Sequence, residues 1–174
     1  MGGVHMNIKL TQKERMLLQD QKSHEELCVK KYTEAANKAQ DPQLKQIFQK
    51  IGQHEQQHLN TINQILGGQV PQMNSGQQSQ SQGQGNQQSG SQSNQGMKMM
   101  QSGGTPASYN QKDKELCDDL LMTEKYVSGT YDITIFECVD CNLRDTLNHI
   151  QKEEQQHGEE IFNYMYNQGM YTPQ

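Results

Sequence analysis

The chain has 174 residues, enough for one domain, with 31% hydrophobic residues, a mean hydropathy of −1.01 and a formal net charge of −5. Its 15 Lys and Arg residues are scattered, leaving no electrostatic footprint for nucleic acid, and no apolar run approaches the ~18 residues of a membrane span. Four cysteines, Cys28, Cys117, Cys138 and Cys141, are too few and too unevenly spaced for a disulfide scaffold, so a reduced, cytosolic origin is expected.

Residues 1–10 read as an N-terminal tail without the apolar core of a secretory signal. Met6 is as plausible a start as Met1, and Met1–His5 is set aside from the fold. Residues 11–66 read as a helical hairpin. Thr11 is the N-cap of its first helix, with Glu14 completing a capping box. Leu18, Glu25, Cys28, Tyr32 and Ala36 share one stripe as far as about Gln40. Asp41-Pro42 breaks the helix, because proline disfavours helix in the residue before it and suits the first turn of the next. The second helix runs to about Leu66 with the stripe Leu44, Ile47, Phe48, Ile51, Glu55, His58, Ile62 and Ile65, and Gly67-Gly68 stops it.

Residues 67–110 are almost entirely Gln, Ser, Gly and Asn, lack periodicity and cannot bury a core, so they read as a disordered linker. The cluster Met97, Met99 and Met100 is its one apolar feature and reads as incidental. Residues 111–174 read as a second hairpin with a short tail. Its first helix, to about Val139, carries Cys117, Leu120, Glu124, Val127, Tyr131, Ile135 and Cys138 on one stripe; Gly129 inside it costs ~1 kcal/mol. The next, about Asn142 to Tyr166, carries Leu143, Leu147, Ile150, Glu154, His157, Ile161 and Met165, and Asn167 to Gly169 closes it.

Two amphipathic hairpins joined by a long connection predict an all-α four-helix bundle, the two hairpins forming one domain. Helices of ~25 residues are ~38 Å long. A flexible linker of ~42 residues has an r.m.s. span of roughly 32–39 Å. The third helix can therefore begin at either end of the first.

The two hairpins repeat one another. Glu55-Gln-Gln-His58 recurs as Glu154-Gln-Gln-His157, 99 residues later. At that offset Asp20 falls on Asp119, Glu25 on Glu124, Tyr32 on Tyr131, Asp41 on Asp140 and Ile51 on Ile150. Each half thus holds a Glu and, thirty residues later, Glu-x-x-His. Glu25, Glu55, His58, Glu124, Glu154 and His157 all fall on apolar stripes that carry no Lys or Arg. Four buried carboxylates without cations repel and are costly. Two divalent cations would close the charge sum at zero. The i, i+3 spacing puts Glu and His one turn apart, so that one can bridge two metals while the other binds one. The competing expectation is two surface Glu-Gln-Gln-His segments on partner-binding helices.

This arrangement resembles the ferritin-like di-iron and di-manganese carboxylate bundles, which use one Glu from each of two helices and Glu-x-x-His from each of the other two. The resemblance covers 11–66 and 111–166. It implies two Fe or two Mn ions, bridged by Glu55 and Glu154, with Glu25 and His58, and Glu124 and His157, as terminal ligands. It allows an oxidoreductase acting on peroxide, oxygen or ferrous iron. Tyr32 and Tyr131 follow Glu25 and Glu124 by two helical turns and are the tentative catalytic residues, able to hydrogen-bond a ligand or donate an electron; a plain core tyrosine is the alternative. His54-Glu55-Gln-Gln-His58 also matches the zinc-protease signature. The second copy begins with Glu153 instead, and no third ligand is evident. Cys138-Val-Asp-Cys141 fits a redox or soft-metal pair, though two unrelated thiols at a helix break fit better.

A second resemblance lies in Asp119-Leu-Leu-Met-Thr-Glu-Lys-Tyr126, Asn142-Leu-Arg144 and the close Ile161-Phe-Asn-Tyr-Met-Tyr-Asn-Gln-Gly-Met-Tyr171. These are similar to the Coat F family of bacterial spore coat proteins over 111–172. That resemblance implies synthesis in the mother-cell cytoplasm, assembly onto the spore coat, and partners among other coat proteins or further copies of the chain. A metal-free structural role in the coat is compatible with it.

Overall fold

A computed structural model describes residues 5–71 and 109–173. The Gln-rich stretch from 72 to 108, with the Met97, Met99 and Met100 cluster, lies outside the described residues.

Four helices form where the stripes predict them: α1 (Gln12–Lys38), α2 (Pro42–Leu66), α3 (Gln111–Glu137) and α4 (Cys141–Asn167). Each begins on a side-chain cap. Thr11 and Glu14 form the capping box of α1, the Glu14 N–H donating to Thr11 Oγ1 at 3.1 Å and the Thr11 N–H to Glu14 Oε2 at 2.6 Å. Asp41, Asn110 and Asp140 cap α2, α3 and α4, each satisfying N–H groups that a helix start leaves without partners. Gly68 and Gly169 follow α2 and α4 with φ of 85° and 70°, a left-handed conformation that costs glycine little.

α1 and α3 stop a residue or two before the expected ends. Ala39 and Cys138 take extended backbone, and the N–H groups beyond them are held from across the bundle. Gln40 and Asp41 donate to Asp113 at 2.8 and 3.0 Å, and Val139 donates to Glu14 at 2.8 Å. These carboxylates fill the role that continued helical hydrogen bonding would have had.

The same bonds orient the hairpins. The start of α1 meets the end of α3, and the start of α3 meets the end of α1, so these helices are antiparallel. Around the bundle the order is α2, α1, α3, α4, with α4 returning to α2. Lys50 pairs with Glu160 and His58 with Glu153, so α2 and α4 are antiparallel too. The start of α3 therefore lies at the opposite end of the bundle from the start of α1, a choice the linker length leaves open.

The predicted stripes face inward. Leu18, Tyr32, Phe48, Ile51, Leu120, Tyr131, Leu147 and Ile161 belong to one buried core, and only Ile47 of the named stripe residues is half-buried. Full burial of such side chains contributes about 1.5–3 kcal/mol each.

Two expectations are corrected here, that of an N-terminal tail over residues 1–10 and that of a disordered linker beginning at residue 67. His5–Asn7 (β1) pairs antiparallel with Gln69–Pro71 (β2), and the Ile8 N–H donates to Gly68 O at 2.9 Å. Val70 is fully buried beneath this ribbon. A short segment of this kind carries no periodicity long enough to register as a strand. Among the described residues, no helix is long and apolar enough to cross a membrane.

Candidate metal centre

One residue from each of α1 and α3, and two each from α2 and α4, converge at mid-bundle. Glu25, Glu55 and Glu154 are 0% exposed, and His58, Glu124 and His157 are 3% exposed. They are not surface segments. The i, i+3 spacing turns Glu55 with His58, and Glu154 with His157, toward the same interior. Two overlapping sets result: Glu25, Glu55, His58 and Glu154, and Glu55, Glu124, Glu154 and His157. Within each, one donor atom per residue lies within 4.8 Å of all the others, and Glu55 and Glu154 belong to both.

The halves interlock. His58 Nδ1 approaches Glu154 Oε1 at 2.7 Å and Glu25 Oε2 at 3.8 Å. His157 Nδ1 approaches Glu55 Oε1 at 2.8 Å and Glu124 Oε2 at 3.7 Å. Despite these distances, none of the inner atoms has a partner in hydrogen-bond geometry. Among the described residues, every buried side-chain nitrogen or oxygen left without a partner belongs to these six residues: both oxygens of Glu55 and Glu154, one oxygen each of Glu25 and Glu124, and both histidine Nδ1 atoms. Buried polar groups are ordinarily satisfied, and an orphaned cluster calls for a bound species. Carboxylate oxygens and imidazole nitrogens gathered in this number could hold metal ions.

The outward atoms, by contrast, are tied. Tyr131 donates its hydroxyl to Glu25 Oε1, and Tyr32 donates to Glu124 Oε1, each across to the other hairpin. Burial, then the facing carboxylate, holds both phenols well above their ordinary range, so they remain donors. His58 Nε2 bonds Glu153 Oε2 at 2.9 Å, and His157 Nε2 lies 3.1 Å from His54 Nδ1. Such outer partners fix the ring and leave Nδ1 free to face inward. His54 is thus a support to His157, not the first ligand of a zinc-protease site. The sequence reading gave neither His54 nor Glu153 this role; the available signal was that both directly precede a Glu-x-x-His glutamate.

Burial pushes the Glu25 and Glu154 carboxyls up, with neighbouring carboxylates adding to the rise. Burial also acts on Glu55, but the facing imidazoles of His157 and His58 together outweigh it and bring that carboxyl down. Both imidazoles rise, since the surrounding carboxylates outweigh the burial that opposes their charge.

Cys28 is buried beside the centre, and burial, then the nearby Glu55 carboxylate, pushes its thiol far up. Cys138 is buried at the end of α3 and Cys141 is exposed at the start of α4, both as free thiols. Between α3 and α4 lies an open groove of about 710 Å³ whose lining includes Phe162, Tyr171 and parts of Glu124 and Glu154.

No curated protein and no solved structure matches the chain. Glu25, Glu55 and His58 lie in α1 and α2, outside the residues that match a family model. That match begins at the start of α3 and includes Glu124, Glu154 and His157: residues 112–174 are similar to the Coat F domain.

Proposed function

We propose that this chain is a spore-coat-associated, ferritin-like protein that holds two divalent iron or manganese ions between its four helices. The observation that carries the reading is the orphaned cluster: eight inward donor atoms on six buried residues, with no hydrogen-bond partner among them. Glu55 and Glu154, shared by both sets, would serve both ions, and Glu25 with His58, and Glu124 with His157, would each complete one position. Four carboxylates against two dications leave no net charge buried.

The coat assignment is supported by the Coat F domain match over α3, α4 and the tail. It carries with it synthesis in the mother-cell cytoplasm and assembly onto the spore surface. Met122, Tyr126, Ile133 and Phe136 recur along one outer face of α3 and are exposed, as assembly with other coat proteins or further copies would use.

A second reading is a redox enzyme of the ferritin-like class, acting on peroxide, oxygen or ferrous iron. It is favoured by the groove whose lining includes Glu124 and Glu154. In that reading the bound ions supply the electron transfer. Tyr32 and Tyr131 hold the terminal glutamates in place and lie close enough to pass an electron. Consumption of peroxide or oxygen that depends on added metal would separate this reading from a purely structural centre.

Elemental analysis of protein purified without added metal tests the main reading, with about two ions per chain expected. A chain that carries no metal and melts alike with Fe²⁺, Mn²⁺ or chelator would leave only a metal-free coat protein.

A further inference from the structure

The duplication sets six matching residues around the centre but gives them unmatched surroundings. Positions 54 and 153 are equivalent in the repeat, yet one is His and the other Glu. His58 Nε2 therefore meets a carboxylate, Glu153 Oε2, at 2.9 Å, whereas His157 Nε2 meets an imidazole nitrogen, His54 Nδ1, at 3.1 Å. A carboxylate accepts the ring N–H strongly and makes the inner nitrogen a better donor. A neutral imidazole accepts it through a single lone pair and brings no negative charge toward the ion.

Access differs as well. The groove between α3 and α4 is lined by Glu124, which belongs to one set alone, by the shared Glu154, and by Gly129 and Gly158, with the exposed carboxylates Asp132 and Glu159. A Cβ at Gly129 would meet nothing within 4 Å, and one at Gly158 would lie 3.7 Å from Glu124 Cβ, so any longer side chain there would enter the groove. The equivalent residues of the first half are Lys30 and Leu59. The groove between α1 and α2, about 550 Å³, touches Tyr32 but none of the six candidate ligands.

We propose that the two metal positions are unequal: the Glu25–His58 position fills first and retains its ion, and the Glu124–His157 position fills last and exchanges its ion through the α3–α4 groove. Glu153 and His54 are the positioning residues that set the difference, and Gly158 keeps the route open. The inference rests on the dinuclear reading above.

Calorimetric titration of the metal-free full chain with Mn²⁺ tests it, with release followed by stopped-flow mixing with a chromogenic chelator. The wild type should bind in two steps whose dissociation constants differ at least about tenfold, the lower end of what such outer partners contribute. His54→Glu should tighten the second step toward the first, and Glu153→His should weaken the first. Gly158→Leu should slow the faster release phase several-fold and leave the slower one unchanged. Circular dichroism identifies any variant that fails to fold, and the wild-type titration needs no variant. Two equal binding steps in the wild type, or an unchanged second step in His54→Glu, would overturn the inequality while leaving the dinuclear centre intact. Absence of Mn²⁺ binding would overturn both.

Discussion

Glu14 and Asp113 perform one task for opposite halves of the bundle. They are equivalent in the 99-residue repeat, and each sits in the first turn of its own hairpin while closing the helix break of the other. Glu14 accepts from the Val139 N–H between α3 and α4, and Asp113 from the Gln40 and Asp41 N–H groups between α1 and α2. The reciprocal exchange fixes the antiparallel register of α1 against α3 and so brings Glu25 and Glu124 to the same level.

Glu14 carries a pH signature. Burial alone would raise its carboxyl, but the Val139 and Thr11 N–H groups and the Thr11 hydroxyl together hold it below its ordinary value of 4.5. A depressed carboxyl stabilises the fold fully above that value and loses its contribution as pH falls through the folded-state pKa. Glu14→Gln should cost about 1 kcal/mol at neutral pH, the usual worth of such a cap. Urea melts should show this gap closing at acid pH as the wild-type carboxyl protonates; a gap independent of pH would refute the assignment.

Asp113→Ala strips two backbone N–H groups of their acceptor at a packed junction. Leaving buried donors unsatisfied costs about 1–3 kcal/mol each, less where water can enter. Thermal melts should fall accordingly, and hydrogen exchange at Gln40 and Asp41 should accelerate. Unchanged exchange at these two amides would show that Asp113 does not hold the break.

Tyr32→Phe and Tyr131→Phe each remove one hydroxyl and keep the ring in the core. The lost hydrogen bond should lower stability by about 1 kcal/mol. Because Glu124 or Glu25 loses the group that orients it, Mn²⁺ affinity should fall about 10–100-fold. Calorimetry distinguishes this from a plain packing role, in which stability changes and metal affinity does not.

Metal should stabilise the chain. A ligand that binds the folded state alone adds about 2.7 kcal/mol at a hundredfold excess over its dissociation constant. Scanning calorimetry with Fe²⁺ or Mn²⁺ at neutral pH should show a higher Tm that chelator reverses. The pair Glu55→Gln with Glu154→Gln removes both shared carboxylates at nearly constant volume and should abolish the response. A response that survives in this variant would place the ions elsewhere.

The sequence alone determined the helices, the Thr11–Glu14 cap of the first and the six inward residues of the centre. Each is a local property: a 3.6-residue period states which face of a helix a side chain occupies, and Glu25, Glu55 and His58 repeat at Glu124, Glu154 and His157 on the same faces. Periodicity does not state which helix that face will meet. Only the tertiary structure decided that α1 runs antiparallel to α3, that Tyr32 bonds Glu124 and not the Glu25 of its own helix, and that Glu14 and Asp113 close each other's hairpins. It also decided that His54 and Glu153, which lie off the apolar stripes, back the two histidines. These are contacts between residues about a hundred positions apart, fixed by how two preformed hairpins dock, and a repeat that maps each half onto itself holds no record of the docking.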